Sequence, residues 1–293
     1  MTILHAAASG PTLQAARLIG VGATGARFVQ SFHASAPPEH PPLAQLREEP
    51  SSFILIAGGQ SDALLDPADL GNARLLFLAF GADARPAEIE AAMHLVWGMW
   101  AREGHVIGVV IAGEHLRPSG DSMLGVLCDA IDARIDVPDD DPETLGPLQW
   151  FYLGLRRAIL DGTPLLLEAA WDCDDVVETL GLPEVELVLL AQPFDSAAQL
   201  PEAMVQALEE LSGHGPGIER AQGMLIVLWA PREHGLTVRD VRGVGRQAAL
   251  AMGAGALHLT IRLGGNAAPG VPGVLTLVVS FSRLPISLSP QLS

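Results

Sequence analysis

The sequence predicts an α/β protein made of a Rossmann-type parallel-sheet domain, a long core helix and a second, smaller mixed α/β domain. Three observations predict it. Apolar runs without polar alternation, separated by helical stretches, signal strands covered on both faces of a parallel sheet. A glycine turn joins the first of these runs to the first helix. After a long helical stretch near mid-chain, the strand and helix alternation starts again. The boundaries fall at residues 1–144 for the first domain, 145–169 for the core helix, 170–284 for the second domain and 285–293 for a short tail rich in Ser and Pro.

Taken in order, Arg17-Leu-Ile-Gly20-Val-Gly22-Ala-Thr-Gly25 is a short buried strand, a glycine turn and the start of a helix on which Phe28, Val29 and Phe32 share one face. Pro37, Pro38, Pro41, Pro42 and Pro50 make residues 35–51 an irregular surface loop. Residues 52–57 and 74–80 are buried strands, each followed by glycine; a helix over 86–103 and a buried strand over 106–112 come next. A further strand within residues 129–137 ends this half, and Pro138-Asp-Asp-Asp-Pro142 closes it. The core helix follows, with Gly154, Gly162 and Pro164 implying bends or a split. The second half predicts strands over 185–190, 224–229, 256–262 and 274–281, with helices over 199–211 and 237–252.

Composition narrows the chemistry. The 293 residues are 49% hydrophobic and carry 34 acidic against 17 basic side chains, all 17 of them arginine. With no lysine there is no Walker-type phosphate loop, no Schiff base to a pyridoxal cofactor and no Tyr-x-x-x-Lys reductase pair. A formal charge of −17 opposes nucleic acid and direct docking on anionic lipid. Cys128 and Cys173 have no paired spacing, the start of the chain is not signal-like, and no apolar run reaches the roughly 18 to 20 residues of a membrane span. These features place the protein in the cytoplasm.

Gly20-x-Gly22-x-x-Gly25 has the spacing that lets backbone amides approach a phosphate at a helix N-terminus, and equally the spacing of a tight turn packing a helix on a sheet. An acid at the end of the next strand, which a dinucleotide reading wants, is replaced by Gly58-Gly59-Gln60. Asp172-Cys-Asp174-Asp175-Val176 is a local acid cluster able to hold a cation or position a water, or to serve as an N-cap with acids in a first helical turn. Asp139-Asp140-Asp141 fits a solvated turn, and the scattered histidines offer no zinc spacing, so no metal site is expected from the protein alone. Gly120-Asp-Ser122-Met-Leu-Gly125 misses the Gly-x-Ser-x-Gly elbow by one position. Leu95, Trp97 and Trp100 form an apolar stripe that is core or, alternatively, a subunit contact.

In this order the pieces resemble the FtsZ/tubulin superfamily over about residues 15–283. Leu18-Ile-Gly-Val-Gly-Ala-Thr-Gly-Ala26 is similar to the family's Val-Ile-Gly-Val-Gly-Gly-Gly-Gly phosphate turn. Trp171-Asp-Cys-Asp-Asp-Val176 is similar to the Leu-Asp-Phe-Ala-Asp-Val of the loop after the core helix. Glu219-Arg-Ala-Gln-Gly-Met-Leu-Ile-Val-Leu-Trp-Ala230, Leu236-Thr-Val-Arg-Asp-Val241 and Val274-Leu-Thr-Leu-Val-Val-Ser-Phe281 resemble parts of its second domain. The resemblance implies GTP at Gly20, Gly22, Ala23, Thr24, Gly25 and Gly81, Mg2+ only with that GTP, and catalytic acids at Asp172 and Asp175 that act on the neighbouring subunit's nucleotide.

The sequence also departs from the family. The Gly-Gly-Gly-Thr-Gly-Thr-Gly signature after the third strand falls on Gly81-Ala-Asp-Ala-Arg-Pro-Ala87, where one glycine survives, Pro86 has no amide and Asp83 repels phosphate. Ile-Pro-Asn-Asp falls on Val137-Pro-Asp-Asp140, the guanine-reading position of the core helix on Arg157-Ala158, and the acidic loop's leading Asn on Ala170. The expectation is a pseudo-GTPase that keeps the fold and forms filaments with itself or with an active FtsZ-family relative, in division or membrane remodelling. Membrane contact would come only through another protein. Two other readings stay open: an enzyme that uses the Gly20 to Gly25 turn for a different phosphate ligand, and an interaction scaffold that does not polymerise.

Overall fold

A computed structural model describes residues 16–34, 53–56, 70, 73–111, 122–138, 145–152, 173–213, 217–252, 256–264 and 270–283. The first half comprises β1 (Ala16–Val21), α1 (Gly22–Ala34), β2 (Phe53–Ile56), β3 (Leu75–Phe80), α2 (Pro86–Trp100), β4 (His105–Ile111), α3 (Met123–Ala130) and β5 (Ala133–Val137). The core helix is described over residues 145–152, here α4. The second half comprises α5 (Cys173–Leu180), β6 (Val185–Phe194), α6 (Leu200–Gly213), β7 (Gly223–Pro231), α7 (Val238–Met252), β8 (Ala256–Gly264) and β9 (Gly273–Ser282).

Among the described residues the apolar runs become one nine-stranded sheet in the order β2-β1-β3-β4-β5-β6-β9-β7-β8. Every pairing is parallel except the two made by β9, which runs against β6 and β7. The two halves meet at a narrow seam: β5 and β6 pair only through Ala133 with Val185 and Arg134 with Glu186. Just outside it, the amide of Glu184 donates to the carbonyl of Asp132 at 2.7 Å. Strands buried on both faces explain the lack of alternation in β1, β3 and β4.

One core crosses that seam. On one face of the sheet, Phe28 and Phe32 of α1 pack with Phe77, Phe151 and Tyr152, and the same cluster continues through Val176 and Leu180 of α5 to Val227 and Trp229 of β7. Helix α4 ties it together. The Gln149 amide donates to the Phe32 carbonyl at 2.6 Å, the Tyr152 hydroxyl donates to the Ala16 carbonyl at 3.3 Å, and the Trp150 and Trp229 rings lie 5.3 Å apart. The opposite face is covered by α2 and α3 in the first half and by α6 and α7 in the second.

The structure adds a helix that the sequence pattern leaves unassigned and divides the apolar stripe of α2. Residues 123–130 form a helix that continuous apolarity did not announce; Ser122 caps it by accepting from the Gly125 amide at 3.0 Å, so the near-elbow motif is a helix start. In α2, Leu95 is fully buried, but Trp97 and Trp100 remain 50% and 45% exposed, because successive helical residues turn by about 100° and only one face meets the sheet. No helix among the described residues is long and apolar enough to cross a membrane.

Helix α7 begins with a reciprocal cap. The Thr237 amide and hydroxyl donate to the Asp240 carboxylate at 2.8 and 2.6 Å, and the Asp240 amide donates back to the Thr237 hydroxyl at 3.4 Å. The Thr237 side chain is the main cause that holds the Asp240 carboxyl below its usual value. A carboxyl depressed by folding stabilises above its unfolded pKa and stops doing so as pH falls through the folded one. Thr237→Ala should therefore cost about 1 kcal/mol at neutral pH in urea unfolding. The gap between variant and wild type should narrow as pH falls through the depressed pKa of Asp240.

Candidate phosphate site at the glycine turn

Strand β1 delivers its last residue, Val21, straight into Gly22, the first residue of α1, whose φ of +73° suits only glycine without strain. Two further glycines let α1 sit against the sheet. A Cβ on Gly20 would stand 2.5 Å from the Gly25 carbonyl oxygen, and one on Gly25 would overlap the carbonyl of Ala79 in β3. The packing of backbone on backbone thus requires Gly20 and Gly25 whatever the turn binds. Their spacing alone is no testimony to a ligand.

The segment after β3 lies directly over the turn. Gly81 faces Thr24, where an added Cβ would meet the Thr24 methyl at 2.9 Å, and Gly22 faces Ala84, whose Cα would lie 3.1 Å from an added Cβ. The Thr24 amide donates to the Asp83 carboxylate at 3.0 Å, while Arg27 donates to the Thr24 hydroxyl at 3.2 Å. Partial burial pushes the Asp83 carboxyl up, but hydrogen bonds from Thr24 and from the amides of Asp83 and Ala23 outweigh it and hold it below its ordinary value. Helix α1 has no acidic residue of its own in its first turn. Beyond Asp83, α2 starts with Pro86 at its first positions, and the Arg85 amide donates to Glu88 at 2.8 Å.

The structure therefore brings Gly20, Gly22, Ala23, Thr24, Gly25 and Gly81 together at the edge of the sheet where β1 and β3 end. Asp175 stands elsewhere, half-buried in α5. That helix ends at the opposite edge, where the Thr179 carbonyl lies against Gly223, the first residue of β7. Asp172, Asp139, Asp140, Arg157 and Ala158 lie outside the described residues. Among the described residues no group of three or more His, Cys, Asp or Glu side chains could hold a metal ion. Sequence reasoning saw Asp83 as a source of repulsion and missed that it caps α1, a contact across 59 residues of chain.

At this turn the Thr24 amide, which would receive a phosphate, faces the Asp83 carboxylate instead, and Ala84 lies against Gly22.

The fold is that of the FtsZ/tubulin superfamily. The chain is similar to CetZ2 from Haloferax volcanii, solved as a GTPγS-bound protofilament, with 14% identity, a TM-score of 0.57, and 91% of this chain and 92% of that one covered. It is similar to TubZ of Bacillus thuringiensis serovar israelensis in its GTPγS-form protofilament, with 11% identity, a TM-score of 0.56, and coverage of 94% and 89%. CetZ from Methanosaeta thermophila strain DSM 6194 gives 13% identity, a TM-score of 0.54, and coverage of 93% and 88%. No family model matches the chain, and no curated protein matches its sequence.

The packing ranks the glycines. Gly25→Ala should destabilise the protein by about 3 kcal/mol, since neither backbone can yield. Gly22→Ala should cost about 1 to 2 kcal/mol for the left-handed backbone. Chemical denaturation of both variants without nucleotide checks the order.

Proposed function

We propose that this protein is a tubulin-like cytoskeletal subunit that assembles head to tail into filaments, with GTP binding that is weak or absent. The observation that carries the reading is likeness over 91% and 94% of the chain to two proteins solved as protofilaments. The closed turn at Thr24 and Asp83 supports the second part of it. The division into residues 1–144, 145–169 and 170–284 belongs to the same reading, and the two-pair seam between β5 and β6 supports it.

The topology suits head-to-tail assembly. The glycine turn stands at one edge of the sheet and the helix that carries Asp175 ends at the other, so one subunit cannot bring them together. A homopolymer or a mixed filament can, and in a mixed filament this chain would present Asp172 and Asp175 to a relative's site. The protein acts in the cytoplasm, in division or membrane remodelling, and reaches a membrane through another protein because its charge of −17 opposes anionic lipid. An enzyme acting on a different phosphate ligand would need the Thr24 amide that Asp83 already engages.

Sedimentation of the purified protein with and without GTP and magnesium, with the pellet viewed by negative-stain electron microscopy, tests this. Filaments should form above a critical concentration in both conditions and to the same extent. Filaments that require GTP would defeat the weak-binding part, and a protein that stays monomeric at every concentration, alone and with an active relative, would defeat the reading as a whole.

A further inference from the structure

The loss of a ligand site can leave either an eroded surface or a site intact but filled by something else. At the glycine turn the second description fits. On the α1 side the elements that present amides to an anion are in place: the strand-to-helix turn, the left-handed Gly22, the close packing at Gly20 and Gly25, and a first helical turn with no acid of its own. What stands at the end of α1 is a carboxylate from the neighbouring loop, held by the Thr24 amide at 3.0 Å.

Resting on the weak-binding reading above, we propose that Asp83 is the specificity-determining residue of this site: it is an internal anion that occupies the phosphate position and latches the β3–α2 segment over the turn, so that its removal returns the site to phosphate-bearing ligands. Three contacts make the latch. Asp83 meets Thr24, Gly81 lies against the Thr24 side chain, and Ala84 covers Gly22. A helix N-terminus offers about half a unit of positive charge to an anion, and two anions cannot share it without repulsion. A ligand phosphate must therefore displace a carboxylate that the contacts of Gly81 with Thr24 and of Ala84 with Gly22 hold beside its binding position, and which is thus always present at high effective concentration.

The prediction concerns charge first and space second. Asp83→Asn keeps the size and the hydrogen-bond acceptor but removes the charge, while Asp83→Gly also frees the space and restores a bare amide. Binding of a fluorescent GTP analogue with Mg2+, and separately of inorganic pyrophosphate, is measured on the full chain for wild type and both variants, with circular dichroism confirming the fold. Wild type should bind weakly; Asp83→Asn should gain about tenfold and Asp83→Gly more, for both probes. Should Asp83→Gly fail to fold, Asp83→Asn carries the test alone. Variants that bind no better than a weakly binding wild type would overturn the latch and leave the weak-binding reading standing. Tight GTP binding by wild type would overturn that reading, and the latch with it.

Discussion

The close crossing of α1 over β1 and β3 is the contact on which the remaining packing depends. Gly20 lies under Gly25, and Gly25 lies on the carbonyl of Ala79, so helix and sheet approach more closely than any side chain would allow. From that depth Phe32 reaches Tyr152 edge-on at 5.7 Å, and Phe77 meets Phe151 and Tyr152 at 5.7 and 5.3 Å. The aromatic cluster fixes α4, and α4 in turn sets Trp150 against Trp229 in the second half. A seam of two strand pairs would be a weak joint alone; the shared core under α4 makes it a continuous one.

The same crossing brings the positive end of α1 to the surface at a fixed place. A helix start with no acid in its first turn and no capping hydroxyl before it leaves amide donors to be satisfied by something from outside the helix. Here the chain supplies Asp83. By contrast α3 uses its own Ser122 and α7 its own Thr237 and Asp240, caps local in sequence. The start of α1 is capped across the fold.

That difference marks what could be read from the sequence. Strands buried on both faces, the glycine turn and the restart after the core helix are local patterns, and each became an element close to its expected bounds. Helix α3 was not legible because Met123-Leu-Gly-Val-Leu-Cys is apolar throughout and carries no period, leaving Ser122 as its only signal. The fate of Trp97 and Trp100 was not legible either, since whether a helical stripe is buried depends on where the helix is laid down. The Asp83 cap was half visible. An acid in place of a family glycine foretold repulsion, but the partner amide at Thr24 depends on a fold that only the tertiary structure supplies.

A cap supplied by a ligand and one supplied by the chain differ in what they make the fold depend on. Ligand-borne phosphate stabilises a turn only in proportion to the logarithm of ligand concentration, so the geometry of that edge would follow nucleotide supply and turnover. A tethered carboxylate is always present, and its depressed pKa keeps it charged throughout the neutral range. The edge formed by the ends of β1 and β3 then keeps one shape. If that edge meets the next subunit in the proposed head-to-tail filament, an internal anion would uncouple the contact from nucleotide state. Assembly would answer to concentration and partner availability instead.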